Sequence, residues 1–136
     1  MSYAGDVRPA EAHAAVTDSD DPVLVDVRTR AEWTYVGIPQ LDDGRTPLLV
    51  EWQRYPDGSV NDRFVDELRA AGITEGTPLY FICRSGVRSV AAAEAATAAG
   101  LGPAYNVLEG FEGPTGADGH RTVSGWKTAG LPWTQA

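Results

Sequence analysis

The sequence predicts an α/β fold in which a central parallel sheet is flanked by helices on both faces. Short apolar runs of strand length alternate along the chain with segments of helical periodicity. The runs at 23–27 and 78–83 are almost continuously apolar, as expected of strands that are covered on both faces. This alternation implies right-handed crossovers, and it places a ligand site at the carboxyl edge of the sheet.

Local signals predict the elements of the first half of the chain. A helix over 8–16 begins where Pro9 suits a first turn, and it ends in the polar run that closes with Pro22. A strand follows at 23–27, and one or two helical turns follow at 30–35.

The second half repeats the alternation. A strand at 47–52 leads through a turn into a helix that carries Phe64 and Leu68 at helical spacing and that Gly72 closes. A strand, an alanine-rich helix and the last strand follow, predicted at 78–83, 87–99 and 103–108.

The size and charge of the chain limit the classes of protein that it can represent. Its 136 residues are enough for one substantial core, so we expect a single domain over 1–136 with its core at about 7–133. The formal net charge of −8 disfavours nucleic acid and anionic membranes as partners. No apolar run approaches the roughly 20 residues of a membrane helix, and the N-terminus lacks the features of a signal peptide.

The chain contains a single cysteine, Cys83, at the predicted end of the strand 78–83. Arg84 and Arg88 lie within five residues of it, and a helix begins directly afterwards. Unpaired N–H groups at a helix start and two permanent cations favour an anion and a thiolate. The alternative is a buried structural cysteine, but an apolar core would not accept the two arginines. The sequence therefore predicts a reactive thiolate at Cys83.

The numbers of cysteines and histidines limit the metal sites, cofactors and compartments that the sequence predicts. One cysteine excludes an intramolecular disulfide and a Cys-x-x-Cys motif. The two histidines, His13 and His120, are far apart in the sequence, so we expect no metal site and no cofactor. A reactive unpaired thiol suits a reducing compartment, and we expect a cytoplasmic protein.

The loop at 83–89, Cys-Arg-Ser-Gly-Val-Arg-Ser, resembles the active-site loop of the rhodanese-like sulfurtransferases. Two other parts of the chain agree with this family. The run at 23–28 with the following Glu32-Trp33 is similar to its N-terminal signature, and the stretches 107–113 and 125–133 are similar to its C-terminal pattern. The three motifs occur in the family's order and span nearly the whole chain, which implies a single-domain member.

The resemblance implies a persulfide mechanism at Cys83. The thiolate would attack the outer sulfur of an anionic donor such as thiosulfate, and a thiophilic acceptor would then take that sulfur. Arg84 and Arg88 would hold the donor's oxygens, while the backbone N–H groups after the cysteine would cradle the persulfide. The residues expected to bind substrate are therefore Arg84, Ser85, Gly86, Val87 and Arg88.

Four further residues are expected to support the site. By resemblance, Asp26 and Arg28 lie at the end of their strand beside the cysteine loop. Arg28 and Glu32 would form an ion pair that shapes the neighbouring wall. Ser89 is expected to cap the helix that follows the loop.

Two stretches leave structural questions open. The family usually carries Gly-His-Ile-Pro-Gly where this chain has Gly37-Ile38-Pro39-Gln40, so the local loop conformation is in question. Trp52 and Tyr55 suit either a rim over the active site or aromatic packing against the next helix.

Other functions of the same fold remain as alternatives. Phosphatases and arsenate reductases of this fold place five residues between cysteine and arginine, whereas four residues separate Cys83 from Arg88 here. The shorter loop favours sulfur transfer. A persulfide carrier or redox-sensing module with little turnover is a third reading. Two arginines suit a dianion, so we expect thiosulfate as donor and a thiol or thioredoxin-like protein as acceptor.

Overall fold

The computed structural model describes residues 3–18, 21–41, 47–53, 58–84, 87–108, 110–113, 125–127 and 129–134. Its strands are β1 (Gly5–Val7), β2 (Val23–Asp26), β3 (Ile38–Pro39), β4 (Leu48–Leu49), β5 (Leu79–Ile82), β6 (Ala104–Val107) and β7 (Trp133–Thr134). Its helices are α1 (Pro9–Asp18), α2 (Arg30–Tyr35), α3 (Phe64–Ala70) and α4 (Val87–Ala98).

Five strands form one sheet in the order β1-β6-β5-β2-β4, and each neighbouring pair is parallel. Strand β5 is the central strand, with β6 on one side and β2 on the other. The predicted parallel sheet is therefore confirmed. The carboxyl ends of these three strands meet at one edge, which is where the residue after β5 lies.

Helices cover both faces of this sheet, as predicted. Because side chains alternate along a strand, Leu79 and Phe81 of β5 point to one face and Ile82 to the other. The first face packs on α3 and α4, and these residues form the first core cluster, which includes Leu68. The opposite face packs on α1 and forms the second core cluster, which includes the fully buried Trp126.

One predicted strand is shorter in the structure, and strands β1, β3 and β7 were not predicted. The strand expected at 47–52 is reduced to Leu48–Leu49, although Val50 and Trp52 still donate backbone hydrogen bonds to carbonyls at the end of β2. Strand β1 was not predicted, because its three residues carry no apolar run and it forms only by pairing with β6. The Trp52 ring contacts Phe64 of α3, so its packing role is confirmed, while Tyr55 lies outside the described residues.

The segment that departs from the family pattern is held by the C-terminal strand. Ile38 and Pro39 form β3, which pairs antiparallel with β7, and the N–H of Gln40 donates to the carbonyl of Pro132. Gly37 has a φ of 112°, and an added Cβ would lie 2.8 Å from the carbonyl oxygen of Thr134. The glycine is therefore required where the two segments meet.

None of the helices in the described part of the chain is long and apolar enough to cross a membrane.

Candidate active site

Cys83 directly follows β5, and α4 begins four residues later. The cysteine is 1% exposed, yet it lines a cavity of about 310 Å³ together with Gln53, Arg84, Val87 and Arg88. The cavity opens at the carboxyl edge of the sheet, where the sequence predicted a ligand site. Ser85 and Gly86 lie outside the described residues, so the roles expected for them stay predictions.

The second arginine of the loop forms an ion pair. Arg88 donates from Nη1 to Glu32 Oε1 at 2.6 Å and from Nη2 to Oε2 at 2.8 Å, and both side chains are 19% exposed. Burial opposes the charge on Glu32, but the hydrogen bonds from Arg88 and from the backbone of Thr29, with the nearby guanidinium charges, lower the pKa of Glu32 to about 2. The hydrogen bonds to Glu32 outweigh desolvation and raise the pKa of Arg88.

The predicted ion pair between Arg28 and Glu32 is wrong, because each residue pairs elsewhere. Arg28 donates to Asp26 Oδ2 from Nη2 at 2.6 Å and to Oδ1 from Nε at 2.9 Å, and both side chains are fully buried. The guanidinium also donates to the carbonyl of Gly37 and stacks over the ring of Phe111 at 4.3 Å. Asp26 and Arg28 therefore form a scaffold at the end of β2, as expected, with a different partner for Arg28.

The other two described members of the loop are open to solvent. The side chain of Arg84 is exposed, and Val87 is 77% exposed at the start of α4. Both line the cavity that contains Cys83. A cation and an apolar side chain thus flank the entrance to a buried thiol.

A short segment after β6 lies directly against the backbone of the cysteine loop. The N–H of Phe111 donates to the carbonyl of Cys83, and the N–H groups of Glu112 and Gly113 donate to the carbonyl of Arg84. Gly110 has a φ of 60°, and an added Cβ would lie 2.6 Å from the carbonyl carbon of Arg84. This segment therefore fixes the direction of the peptide bonds that follow the cysteine.

Ser89 is not a helix cap, because α4 begins at Val87 and places Ser89 inside the first turn. Its side chain is fully buried on the same stripe as Ala92, Ala93 and Ala96. The hydroxyl lies 3.2 Å from Cys83 Sγ and 2.5 Å from Asn106 Oδ1. Ser89 is thus in contact with the sulfur of Cys83.

The contact continues from Ser89 to the first strand. Asn106 is 3% exposed and donates from Nδ2 to Asp6 Oδ1 at 3.0 Å. Asp6 and Asn106 are register partners in β1 and β6, so their side chains lie on the same face of the sheet. Tyr3 donates its hydroxyl to the same oxygen of Asp6 at 2.8 Å. A polar chain therefore runs from an exposed carboxylate to the cysteine.

Sequence reasoning missed Asn106, Asp6 and Gly110 as site residues. A signal existed for Asn106, because an amide in an otherwise apolar strand requires buried hydrogen-bond partners. For Ser89, which was predicted as a site residue, a signal existed for its inward direction, since it lies three residues before Ala92 on the same stripe of α4. Within the part of the chain that the structure describes, no three His, Cys, Asp or Glu side chains are grouped as metal ligands.

The model of the rhodanese-like domain matches residues 8–116, which cover all the elements that position Cys83 except β1. The chain belongs to the rhodanese-like family. An uncharacterized protein of Rickettsia rickettsii, the RP600 homolog, is 38% identical over 127 residues, which cover 90% of this chain and 91% of the relative.

Solved structures of other proteins share this architecture. Rv0390 from M. tuberculosis is 51% identical, with a TM-score of 0.89 over 99% of this chain and 100% of that protein. The polysulfide-sulfur transferase homodimer of Wolinella succinogenes is 19% identical, with a TM-score of 0.65 over 98% of this chain and 80% of that protein. At that identity the second likeness shows the fold alone.

Proposed function

We propose that this protein is a sulfurtransferase that carries sulfane sulfur on Cys83 as a persulfide, with thiosulfate or a similar anion as donor. The observation that carries the proposal is the position of Cys83. A lone thiol lies at the base of a polar cavity, at the carboxyl edge of the sheet, with Arg84 and Arg88 in the cavity wall. This arrangement combines a nucleophile with cations that suit an anionic donor.

Two displacements at sulfur complete the cycle. The thiolate of Cys83 attacks the outer sulfur of thiosulfate, a new S–S bond forms, and sulfite leaves with the electron pair of the broken S–S bond. A thiolate or cyanide acceptor then attacks the terminal sulfur of the persulfide, and Cys83 leaves as the thiolate. Sulfite is a stable anion, so the first step needs no general acid.

The two arginines have unequal roles in this proposal. Arg84 is exposed at the cavity and supplies a cation to the entering donor. Arg88 uses two of its five N–H donors on Glu32, so it contributes mainly a fixed positive charge beside the sulfur. The peptide N–H groups of Ser85, Gly86, Val87 and Arg88 are proposed to hold the persulfide.

The depth of the thiol suggests how the sulfur leaves. A persulfide adds an S–S bond of about 2.05 Å, so its terminal sulfur projects from the 1%-exposed Cys83 into the cavity. We propose a small thiol or a thioredoxin-like protein as acceptor. The net charge of −8 disfavours nucleic acid and anionic membranes as partners. We propose the cytoplasm as its compartment, because a reducing environment keeps a reactive thiol reduced.

Intact-protein mass spectrometry tests the proposal. The reduced protein is incubated with thiosulfate and weighed before and after addition of cyanide. We expect the gain of one sulfur atom, its loss on cyanide, and release of an equal amount of thiocyanate. Cys83→Ser serves as the matched control, and it should gain no sulfur.

Alternative donors and reactions are tested on the same sample. If neither thiosulfate, mercaptopyruvate nor polysulfide adds sulfur while Cys83 still reacts with iodoacetamide, the proposal is wrong. Turnover of arsenate or of a phosphoester would then assign one of the other chemistries. A stable persulfide that no acceptor discharges would indicate a carrier instead of a catalyst.

A further inference from the structure

We propose that Asp6 and Asn106 are positioning residues that control the ionisation of Cys83 by directing the single hydroxyl proton of Ser89. The proposal deepens the proposed function, since a thiolate is the form that accepts sulfur. It rests on the polar chain from Asp6 through Asn106 and Ser89 to the sulfur. Asp6 is exposed on β1, and it belongs to no part of the cavity wall that surrounds Cys83.

The direction of each hydrogen bond follows from the carboxylate. An ionised Asp6 only accepts hydrogen bonds, so the group of Asn106 that faces it is the donor Nδ2. The amide therefore presents its acceptor, Oδ1, to Ser89 at 2.5 Å. Since Oδ1 carries no hydrogen, the proton between these two oxygens is the hydroxyl proton of Ser89.

The direction of this hydrogen bond determines whether Ser89 faces the sulfur as a donor or as an acceptor. A hydroxyl has one proton, and Asn106 holds it, so Ser89 Oγ faces Cys83 Sγ at 3.2 Å as an acceptor. An acceptor stabilises the thiol, which can donate to it. A thiolate at the same place lacks a donor from Ser89 unless the hydroxyl turns away from Asn106. The turn would leave the buried Oδ1 without its donor.

Other charges also act on the sulfur, and all of them stay in place during the test. Arg84 flanks the thiol from the loop and Arg88 flanks it from α4, and Glu32 of α2 neutralises part of the charge of Arg88. Asp26 and Arg28 form a fully buried ion pair at the end of β2, and Tyr3 and Glu94 of α4 are further titratable groups near the β1 end of the polar chain.

The test uses Asp6→Asn and measures the rate of alkylation of Cys83 by iodoacetamide as a function of pH. An amide at position 6 both donates and accepts, so Asn106 can reverse and donate from Nδ2 to Ser89. The hydroxyl proton is then available to the thiolate. We expect the pH midpoint of alkylation to fall by roughly 0.5–1 pH unit, with a several-fold faster reaction below the midpoint.

Removal of a negative charge also favours a thiolate, and a double-mutant cycle separates the two effects. In the Ser89→Ala background the polar chain is broken, so Asp6→Asn can act on the sulfur only through its charge. We expect a smaller shift in that background than in the native one. Equal shifts in both backgrounds would overturn the proposal, as would an unchanged midpoint in the single variant. Ser89→Thr keeps the hydroxyl and should restore the larger shift.

Alkylation requires no sulfur donor, so this result is independent of the mass measurement. A larger shift of the alkylation midpoint in the native background than in the Ser89→Ala background, with no sulfur uptake, would support the control of Cys83 ionisation. The same result would contradict the proposed sulfurtransferase activity. Sulfur uptake with equal shifts in both backgrounds would support the sulfurtransferase activity and contradict the control of ionisation. Urea unfolding of each variant confirms that the alkylation rates are those of folded protein.

Discussion

At the scale of single residues, Arg84 and Arg88 share a charge and differ in surroundings. Arg84 is exposed, whereas Arg88 is 19% exposed and makes two charge-assisted hydrogen bonds to Glu32. Loss of one partner from a partly buried pair leaves the other charge without its hydrogen bonds, which is costly. The two arginines are therefore expected to respond differently to the same substitution.

Replacement of each arginine by glutamine tests this difference. Arg84→Gln should raise the KM for thiosulfate by roughly tenfold and leave the free energy of unfolding within about 0.5 kcal/mol. Arg88→Gln should lower the free energy of unfolding by about 2–3 kcal/mol, because Glu32 loses its partner. Steady-state kinetics and urea titrations measure both effects. An unchanged KM in Arg84→Gln would remove Arg84 from the donor site.

The ion pair also makes stability depend on pH. The pKa of Glu32 falls from 4.5 to about 2 on folding, so its contribution is fully present above pH 4.5 and is lost as the pH falls toward 2. The shift corresponds to about 3 kcal/mol. We expect the stability advantage of the native protein over Glu32→Gln to fall by roughly half between pH 6 and pH 3. Urea unfolding at both pH values measures it, and a constant advantage would contradict the assignment.

At the scale of elements, the close approach of the segment 110–113 to the backbone of Cys83 and Arg84 positions the cysteine loop. The segment 110–113 accepts no side chain at Gly110, because the carbonyls of Cys83 and Arg84 occupy that space. The three N–H groups that follow Gly110 bind the same two carbonyls. Strand β6 therefore sets the orientation of the loop that leaves β5.

Three glycine-to-alanine variants separate the effects at this contact. Gly110→Ala should lower the free energy of unfolding by about 2–5 kcal/mol, since it adds both backbone strain and overlap. Gly58 has a φ of 72° with open space around it, so Gly58→Ala should cost only about 1 kcal/mol. Gly76→Ala meets neither problem and should be neutral or slightly stabilising. Chemical denaturation ranks the three, and equal losses would argue against the close approach.

At the scale of the whole molecule, the two core clusters share one sheet. The first core cluster includes Leu68 of α3, and the second includes Leu24 of β2. Both leucines are at most 1% exposed. Because the strands contribute alternate side chains to both clusters, neither cluster is expected to unfold alone.

The same substitution in each cluster tests this cooperativity. Leu68→Ala and Leu24→Ala should each lower the free energy of unfolding by about 2–5 kcal/mol. The denaturant m-value should stay at its native value in both, because the whole sheet unfolds in one transition. Circular dichroism in urea measures both quantities. A second transition in either variant would show that the two faces unfold separately.

Much of the site could be predicted from the sequence, because the signals for it are local. The apolar run before Cys83 and the helical segment after it follow from short-range periodicity. The pairing of Arg28 was missed because Asp26, two residues away, competes with Glu32 for the same guanidinium. Only the orientation of the strand end decides between the two carboxylates.

The sequence by itself determined the parallel α/β fold, the place of Cys83 at the end of its central strand, and the family. Each follows from the order of residues along the chain. Only the tertiary structure decided which charges pair, how deep the thiol lies, and that Asp6, Asn106 and Ser89 form one polar chain. These residues are as much as 100 positions apart, and the pairing of β1 with β6 and the packing of α4 on β6 bring them together.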